Sequence, residues 1–301
     1  MNGVINVLKP PGMTSSDVVV YLRKKLGIRK VGHTGTLDPE AAGVLPICLG
    51  KATRISDYLM HQDKVYRCGM KLGIQTDTAD LTGRVTARTD KFPGEKQIRE
   101  SMMSFLGESD QIPPMHSAIK MGGKKLYQLA RQGVELEVPP RRIRIHQIRL
   151  LSFHSPDSIQ FEVSCSKGTY IRALCRDIGN DLGCGAVMSF LIRTGTGPFS
   201  VQKSSSLDEI LLAVEQGYLS RLIQPMEKVL DPILPSIILK EESHEKICHG
   251  NSVDVESVQS NMDGIAPGEP CCIFCGKTFM GIGTCQSTGK KEFIRMKSVL
   301  L

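Results

Sequence analysis

The amino-acid sequence predicts an α+β protein, with a mixed sheet flanked by helices and a small β-rich domain at the C-terminus. Residues 64–72 alternate between apolar and charged side chains, as a half-buried strand does. Residues 171–182 carry apolar side chains on one helical stripe. After Pro232 the chain changes to short strands separated by Gly and Pro turns. We therefore expect two domains, residues 1–232 and residues 233–301.

The N-terminal part begins with a strand, a turn and a helix. Residues 4–8 are a short apolar run that ends at a Lys-Pro-Pro-Gly turn. Thr14 or Ser15 then caps a helix whose apolar positions are four residues apart, and Gly27 ends it. The half-buried strand at residues 64–72 follows later in the chain.

The middle of the chain contains a turn, a helix and a charged excursion. Residues 73–85 have the Asp, Thr and Gly density of a turn, and a helix is expected around residues 98–107, after Pro93. Residues 107–140 have paired prolines near both ends and a short basic helix around residues 124–133. We expect this segment to be an insertion outside the core.

The rest of the larger domain combines strands and helices. Residues 141–153 and 158–165 are expected to form a pair of strands. One helix is predicted over residues 166–183 and another over residues 206–217, capped by Ser206. The small domain is predicted to contain strands at residues 236–240, 270–275, 278–285 and 290–300.

The composition is that of an ordinary globular protein, with 301 residues, 41% hydrophobic and 23% charged. No apolar run approaches the roughly 18 residues of a membrane span, and the N-terminus lacks the pattern of a secretory signal. We therefore expect a cytoplasmic protein without membrane association. The ten cysteines are scattered, mostly among apolar neighbours, which is typical of buried thiols rather than of a disulfide framework.

Positive charge is concentrated in two segments, and the net charge is +7. Residues 120–149 contain eight Lys or Arg and two Glu, and residues 1–54 contain eight Lys or Arg and three acids. Residues 233–301 are nearly neutral, with seven basic and eight acidic residues. This clustering favours a polyanionic partner, namely nucleic acid, over an ordinary solvated basic face.

The sequence lacks the common cofactor motifs. Gly50-Lys51 has neither the earlier glycine nor the following Ser or Thr of a phosphate-binding loop, and no Rossmann fingerprint follows a strand. Cys272 and Cys275 form a C-x-x-C pair, but on a strand they point to opposite faces. Packed thiols are therefore favoured over a zinc site. We expect no metal and no cofactor.

The segment GHTGTLDPEAAGVLP, residues 32–46, places Asp38 among turn formers and then turns apolar. Glycines on both sides let the backbone approach another group closely. The small and apolar residues 41–46 predict a dry surface beside Asp38, where a carboxylate needs a cationic partner to stay ionised. The alternative is a structural Asp in an Asp-Pro turn.

Five blocks of sequence, collinear along the chain, carry a family resemblance. They are KPPGMTS (9–15), KVGHTGTLDPEAAGVLPICLGKATR (30–54), YRCGMKLGIQTDTADLTG (66–83), PPMHSAIKMGGKKLYQLARQG (113–133) and CSKGTYIRALCRDIGNDLG (165–183). Together they resemble the TruB family of tRNA pseudouridine synthases, and the C-terminal region loosely resembles the family's PUA-type RNA-binding domain. The resemblance implies the pseudouridine synthase fold and the conversion of uridine 55 in the tRNA T loop to pseudouridine, without metal or cofactor.

The resemblance assigns three catalytic residues. Asp38 matches the family's catalytic Asp, a nucleophile or charge stabiliser that attacks either the ribose anomeric carbon or the uracil ring. Arg172 matches the Arg that pairs with this Asp; its alternative is an ordinary exposed helix residue. Tyr66 matches the tyrosine that stacks on the target base; its alternative is core packing.

Three further residues match positions around the target base. His33 matches the residue that enters the space vacated by the flipped base; its alternative is a turn histidine bonded to the local backbone. Leu191 matches a leucine that packs beneath the base, although core leucines are commoner. Tyr170 lies beside Arg172 and is expected to support the site.

The basic residues in and beside the insertion are expected to bind T-arm phosphates without reading sequence. They are Lys120, Lys124, Lys125, Arg131, Arg141, Arg142 and Arg144. Recognition then depends mostly on the shape of the folded T loop, and binding weakens as salt rises. We expect a monomer with tRNA as its partner.

Three rival functions are compatible with parts of the pattern. A catalytically silent RNA-binding relative of the same fold is disfavoured because Asp38, Tyr66 and Arg172 are all present. A guide-RNA-dependent relative that modifies ribosomal RNA would carry a long Lys-rich tail, whereas this chain has a nearly neutral end. A metal hydrolase using His33, Asp38 and a cysteine would be sensitive to chelators.

Overall fold

The structure is a computed structural model that describes residues 1–117, 119–130, 132–134, 136–260, 262–288 and 291–301. Arg131 and residue 290 therefore lie outside the described residues, as do the side chains of Lys120 and Lys125. The strands are β1 (Gly3–Lys9), β2 (Val31–His33), β3 (Ala42–Leu49), β4 (Lys64–Leu72), β5 (Ile74–Thr76), β6 (Val85–Arg88), β7 (Gly107–Gln111), β8 (Lys120–Met121), β9 (Lys124–Lys125), β10 (Arg141–His154), β11 (Ser158–Cys165), β12 (Ala186–Thr196), β13 (Phe199–Ser200), β14 (Ile223–Gln224), β15 (Ser236–Leu239), β16 (Val253–Asp254), β17 (Pro270–Cys275), β18 (Thr278–Thr288) and β19 (Lys291–Val299). The helices are α1 (Ser15–Leu26), α2 (Ser56–Met60), α3 (Glu95–Ser104), α4 (Leu126–Ala130), α5 (Ile171–Asp181), α6 (Leu207–Glu215), α7 (Met226–Leu230) and α8 (His244–Cys248).

A large mixed sheet organises the first part of the chain. Its strand order is β14-β1-β3-β12-β4-β11-β10-β7, with β2 added to β3 and β13 added to β12. β3 and β12 run parallel, with Arg193 opposite Gly43, whereas β12 and β4 run antiparallel. The predicted α+β class with a mixed sheet and flanking helices is therefore confirmed.

Local sequence signals define several elements as predicted. Thr14 caps α1 through a capping box with Asp17, and Gly27 ends it in the left-handed conformation with φ of 63°. Ser206 forms the same kind of box with Glu209 at the start of α6. β4 alternates as expected, because its apolar side chains are buried in the core and its exposed positions carry charge.

Two boundaries in the middle of the chain differ from the prediction. The helix expected at residues 98–107 is α3, which spans Glu95–Ser104 because Gly94 and Gln97 provide its N-terminal cap. Residues 107–111 are β7, the edge strand that pairs with β10, so the excursion from the sheet begins after Gln111. This pairing joins segments about thirty residues apart and has no local signature.

The C-terminal sheet has the strand order β15-β17-β18-β19-β16. Its residues Cys272, Ile282 and Leu300 share a buried cluster with Val4 and Cys48 of the large sheet, so apolar packing continues from one sheet to the other. The predicted domain boundary near residue 232 falls between α7 and β15 and stays a prediction.

The cysteines in this structure are all free, and Cys248 is exposed whereas the others are buried. Cys272 and Cys275 join different apolar clusters, as expected for positions on opposite faces of β17. Within the described ranges, no group of three or more His, Cys, Asp or Glu side chains is arranged to hold a metal ion. No helix in this described part is long and apolar enough to span a membrane.

Candidate active site

Asp38 lies in the loop between β2 and β3, at one edge of a buried wall. Its side chain is 41% exposed, whereas Leu37 and Ala41 on either side are buried. The Ser15 hydroxyl at the start of α1 accepts from the Leu37 N–H at 2.9 Å, which anchors the loop to the helix. The carboxylate is thus presented to solvent from a loop whose neighbouring residues belong to the core.

The side chain of Lys9 binds the part of this loop that follows Asp38. Its Nζ donates to the carbonyls of Pro10, Pro39 and Ala41 at 2.8, 3.0 and 2.7 Å. The amine is fully buried, and this desolvation lowers the pKa of Lys9 from 10.5 to about 8, against the attraction of Glu40 and Asp38. The sequence analysis did not assign Lys9 to the site. Its partners are backbone carbonyls, which leave no pattern of side chains in the sequence.

Arg172 provides the cationic partner that the dry surroundings of Asp38 require. Its Nε lies 2.9 Å from Asp38 Oδ2, and its side chain is only 7% exposed. The residue sits in the first turn of α5, whose apolar stripe packs into the core and fixes the direction of the guanidinium. Arg172 is therefore not the exposed helix residue that was its alternative interpretation.

The guanidinium of Arg172 is held from three other directions. It donates from Nη1 to the Thr78 carbonyl at 3.1 Å and from Nη2 to the His116 carbonyl at 2.9 Å. Asp80 Oδ2 lies 3.5 Å from its Nη1. A planar group with this many partners cannot rotate freely, so the orientation of the Asp38 carboxylate is set in advance.

Asp80 is a member of this network that the sequence analysis missed. Its Oδ1 accepts from the hydroxyls of Thr78 and Thr82 at 2.7 and 2.6 Å, and from the Thr82 N–H at 3.0 Å. The segment was interpreted only as a turn between strands. An available signal was the pairing of Thr, Asp and Thr at alternate positions, which favours side-chain hydrogen bonds to local backbone.

Tyr66 is buried on the core face of β4 and lies within electrostatic range of Asp38. Burial raises the pKa of the Tyr66 phenol, and the positive charge of the Arg193 guanidinium acts against that rise. The phenol is therefore neutral at neutral pH. A neutral ring beside a carboxylate–guanidinium pair provides a flat apolar surface next to a reactive anion.

Comparison with known proteins assigns the chain to a family. Residues 23–171 match the TruB family pseudouridylate synthase N-terminal domain, and residues 172–231 match the tRNA pseudouridylate synthase B C-terminal domain. The chain is 45% identical over 287 residues to tRNA pseudouridine synthase B of Alkaliphilus oremlandii, an alignment that covers 94% of this chain and 93% of the relative. The chain belongs to the TruB family.

Other TruB-family proteins and solved structures agree. Identity to tRNA pseudouridine synthase B is 41% for Clostridioides difficile, over 94% of both chains, and 50% for Clostridium perfringens, over 77% of this chain and 78% of the relative. A Cbf5-Nop10-Gar1 complex contains a chain with a TM-score of 0.79 and 31% identity, covering 99% of this chain and 85% of that one. A chain in the structure of an H/ACA RNP bound to a substrate RNA containing 2'-deoxyuridine has a TM-score of 0.78 and 29% identity, and it covers the same shares of the two chains.

His33 of this TruB-family protein stands at the end of β2, half-buried at the start of the Asp38 loop. Its Nδ1 accepts from the Gly35 N–H at 3.4 Å, the local backbone bond that was its alternative interpretation. Burial and the charge of Arg193 lower the pKa of His33, so the ring is neutral at pH 7.

Leu191 and Tyr170 lie on two different elements of the large domain. Leu191 is buried in β12 opposite Cys68 and belongs to the same apolar cluster as Tyr66. Tyr170 caps α5, one residue before its first turn, and exchanges two hydrogen bonds with the Gln111 amide, at 2.8 and 3.1 Å. Burial raises the pKa of the Tyr170 phenol, while Asp38 and Arg172 act on it from nearby.

The basic residues predicted to bind phosphate divide into two groups. Lys124, Arg141, Arg142 and Arg144 are exposed, and the three arginines lie on β10, next to the edge strand β7. Arg142 pairs with Glu108 at 3.1 Å and with Asp110 at 3.8 Å, so part of its charge is neutralised by β7. For Lys120 and Lys125 the structure describes only the backbone, in the ribbon formed by β8 and β9.

Proposed function

We propose that this protein is a tRNA pseudouridine synthase that converts uridine 55 in the T loop to pseudouridine. The single observation that carries the proposal is the 2.9 Å contact between Asp38 and the buried Arg172, in a chain of the TruB family. The relatives at 41–50% identity are named tRNA pseudouridine synthase B, which supports tRNA as the substrate.

Asp38 acts as the nucleophile or charge stabiliser of the isomerisation. The bond between N1 of uracil and the ribose anomeric carbon breaks, the base turns, and a bond forms from C5 to the same carbon. The proton that leaves C5 is balanced by the proton that N1 gains, so no electron donor, phosphate or metal takes part. Arg172 orients the Asp38 carboxylate, and the neutral Tyr66 ring stacks on the base.

Uridine must leave the stacked T loop before Asp38 can reach it. Extruding a base costs a few kcal/mol, on the order of what filling the vacated space with another ring can offset. His33 is suited to that role because it is neutral and stands at the entrance to the Asp38 loop. Leu191 supports the base from below, and Tyr170 supports Arg172 from the start of α5.

Exposed cations on β10 and in the insertion bind the T-arm backbone. Lys124, Arg141 and Arg144 are exposed, and for none of these three does the described part of the structure contain an ion pair. Phosphate contacts of this kind set the position of an RNA without reading its sequence. We further propose that the protein acts as a monomer in the cytoplasm, and that residues 233–301 form a PUA-like RNA-binding domain.

A guide-RNA-dependent activity is the second candidate, because the similar solved structures include a Cbf5-Nop10-Gar1 complex and an H/ACA RNP. The higher identity to proteins named tRNA pseudouridine synthase B, over more than nine-tenths of the chain, favours the unguided tRNA activity. A catalytically silent relative is disfavoured by the intact contact between Asp38 and Arg172.

The test is to incubate the protein with an unmodified tRNA transcript and EDTA, without guide RNA, and to map pseudouridine along the product. Modification at position 55 supports the proposal. Modification that appears only with added guide RNA supports the second candidate, and bound tRNA without product supports the silent relative. A loss of activity caused by EDTA would instead favour metal-dependent chemistry.

A further inference from the structure

Arg193 is a buried cation that none of the assigned catalytic roles uses. It lies in β12, is 1% exposed, and is the largest fully buried side chain among the described residues. Within that described part, no carboxylate lies within ion-pair distance of its guanidinium. A buried charge is costly unless hydrogen bonds satisfy it, so the bonds that hold Arg193 indicate what it does.

Its hydrogen bonds join both ends of the Asp38 loop. Arg193 donates from Nη2 to the Gly35 carbonyl at 3.1 Å and from Nε to the Val44 carbonyl at 2.7 Å. Gly35 lies three residues before Asp38, and Val44 lies six residues after it. One planar side chain therefore bridges the two ends of the loop. The geometry of the guanidinium sets the distance between the Gly35 and Val44 carbonyls.

The same side chain reaches Tyr66. The pairing of β12 with β4 places Arg193 opposite Tyr66, and the charge of its guanidinium acts on the Tyr66 phenol, whose pKa it lowers against the effect of burial. Arg172 contacts Asp38 from a different element, α5. Arg193 is thus the group through which the Asp38 loop and the Tyr66 strand are joined.

Two glycines make this approach possible. Gly35 has φ of 136° and Gly43 has φ of 111°, conformations that other residues rarely adopt. A Cβ on Gly43 would collide with the backbone of Arg193, whereas a Cβ on Gly35 would lie 3.6 Å from its Nη1, an ordinary contact distance. Gly43 therefore makes room for the backbone of Arg193, and Gly35 is required by its backbone conformation.

We propose that Arg193 is a positioning residue for the isomerisation, which fixes the Asp38 loop and Tyr66 relative to each other beneath the flipped base. The proposal rests on the proposed function. A lysine would keep the charge at this position but could not span the Gly35 and Val44 carbonyls as the planar guanidinium does. The Arg193→Lys substitution therefore separates the effect of the positive charge from the effect of the guanidinium geometry.

Lys64 offers a matched control, because it is also a buried cation on this side of the sheet. Its Nζ donates to the carbonyls of Met60 and Gln62 at the end of α2, and it has no hydrogen bond to the Asp38 loop or to Tyr66 among the described residues. Removing it costs stability of the same kind as removing Arg193. If an Arg193 variant lost activity only because the fold is less stable, its rate should fall no further than that of Lys64→Met at a similar Tm.

The experiment measures single-turnover pseudouridine formation, tRNA binding and Tm for wild type, Arg193→Lys, Arg193→Ala and Lys64→Met. We expect Arg193→Lys to lose about 100-fold in rate, as for a catalytic group displaced by about 1 Å. Its Kd for unmodified tRNA should stay within about twofold, because no phosphate contact is lost. Lys64→Met should keep its rate within about threefold at a similar Tm.

Chemical rescue provides the second arm. Free guanidinium ion, at a concentration that leaves Tm unchanged, should restore the rate of Arg193→Ala by about tenfold, because it can occupy the vacated site and reach the same carbonyls. It should restore nothing to Lys64→Met. If Arg193→Ala does not fold, the comparison of Arg193→Lys with Lys64→Met decides alone.

Three results would overturn the positioning role. These are a rate for Arg193→Lys within about threefold of wild type, an equal loss in Lys64→Met at equal Tm, or equal losses in rate and in tRNA affinity. A wild-type protein that forms no pseudouridine in the tRNA would instead contradict the proposed function. The two failures are therefore distinguishable in one set of measurements.

Discussion

The loop that carries Asp38 and the insertion after Gln111 are both rich in turn residues, yet different contacts hold them. The Asp38 loop is fastened by the buried side chains of Lys9 and Arg193, which donate to its carbonyls. In the insertion, the backbone hydrogen bonds described for residues 119–134 are local, such as the bond from the Leu126 N–H to the Ile119 carbonyl at 2.8 Å.

Where the cations lie explains the difference between the two regions. In the Asp38 loop the cations are buried and their partners are fixed, so solvent ions cannot compete for them. In the insertion and at the start of β10, Lys124, Arg141 and Arg144 are exposed without a described ion pair, whereas Arg142 is exposed but pairs with Glu108 and Asp110. We infer that buried cations position the reacting groups and that exposed cations bind the RNA.

The largest effect is expected from Asp38→Asn. This change removes the anion but keeps the size of the side chain and the buried support of the loop. Turnover should fall by at least about 10⁴-fold, while Kd for tRNA stays within about twofold. Single-turnover assays and filter binding measure the two quantities. Retained turnover would remove Asp38 from its proposed role.

Arg172→Lys should have the next largest effect. Lysine keeps the positive charge but cannot contact Asp38, the Thr78 carbonyl and the His116 carbonyl together, so the rate should fall by about 10²- to 10³-fold. The affinity for tRNA should change far less, because Arg172 is buried. Equal losses in rate and affinity would instead indicate that Arg172 contacts a phosphate. That result would contradict the division into buried positioning cations and exposed RNA-binding cations.

The burial of Lys9 predicts a pH-dependent contribution to stability. Its pKa is lowered from 10.5 to about 8 in the folded protein, so between these values the unfolded chain binds the extra proton and stability rises with pH. Wild type should gain about 2 kcal/mol in free energy of unfolding relative to Lys9→Met between pH 7.5 and 9.5. Urea unfolding at the two pH values measures this difference, and a pH-independent difference would contradict the lowered pKa.

The smallest effect is expected from single charge changes on β10. Arg144→Glu should weaken tRNA binding about tenfold at low salt and reduce the salt slope of binding by about one. The single-turnover rate at saturating tRNA should be unchanged. Arg142→Glu is the matched control: because Glu108 and Asp110 already neutralise part of Arg142, we expect a smaller change in affinity. Equal effects would show that the ion pairs do not matter for RNA binding.

Elements with local signals could be predicted from the sequence. The capping box of Thr14 and Asp17 and the alternation in β4 lie within a few residues of the chain, so neighbouring side chains contain the information. β7 was assigned to the insertion because its place in the sheet depends on β10, and α3 was predicted three residues too late because its cap is a glycine. Pairing and weak caps are decided by more distant context.

The candidate site divides in the same way. The dry surroundings of Asp38 predicted a cationic partner, and the flanking glycines predicted a close backbone approach, from the sequence alone. The family resemblance indicated Arg172 as that partner. Asp80 and Arg193 were missed: the alternating Thr and Asp residues around Asp80 indicate local hydrogen bonds but not its contact with Arg172, and Arg193 has no local sign of its partners.

The sequence by itself determined the elements with local signals, the basic segments and the need of one carboxylate for a positive neighbour. Only the tertiary structure decided which cations meet that loop and from which side. Arg172 and Arg193 come from α5 and β12, more than 130 residues after Asp38, and reach it only once β3, β12 and β4 have paired. The physical reason is that burial and hydrogen bonding of a charged side chain are properties of the assembled sheet, whereas caps and alternation are properties of a few consecutive residues.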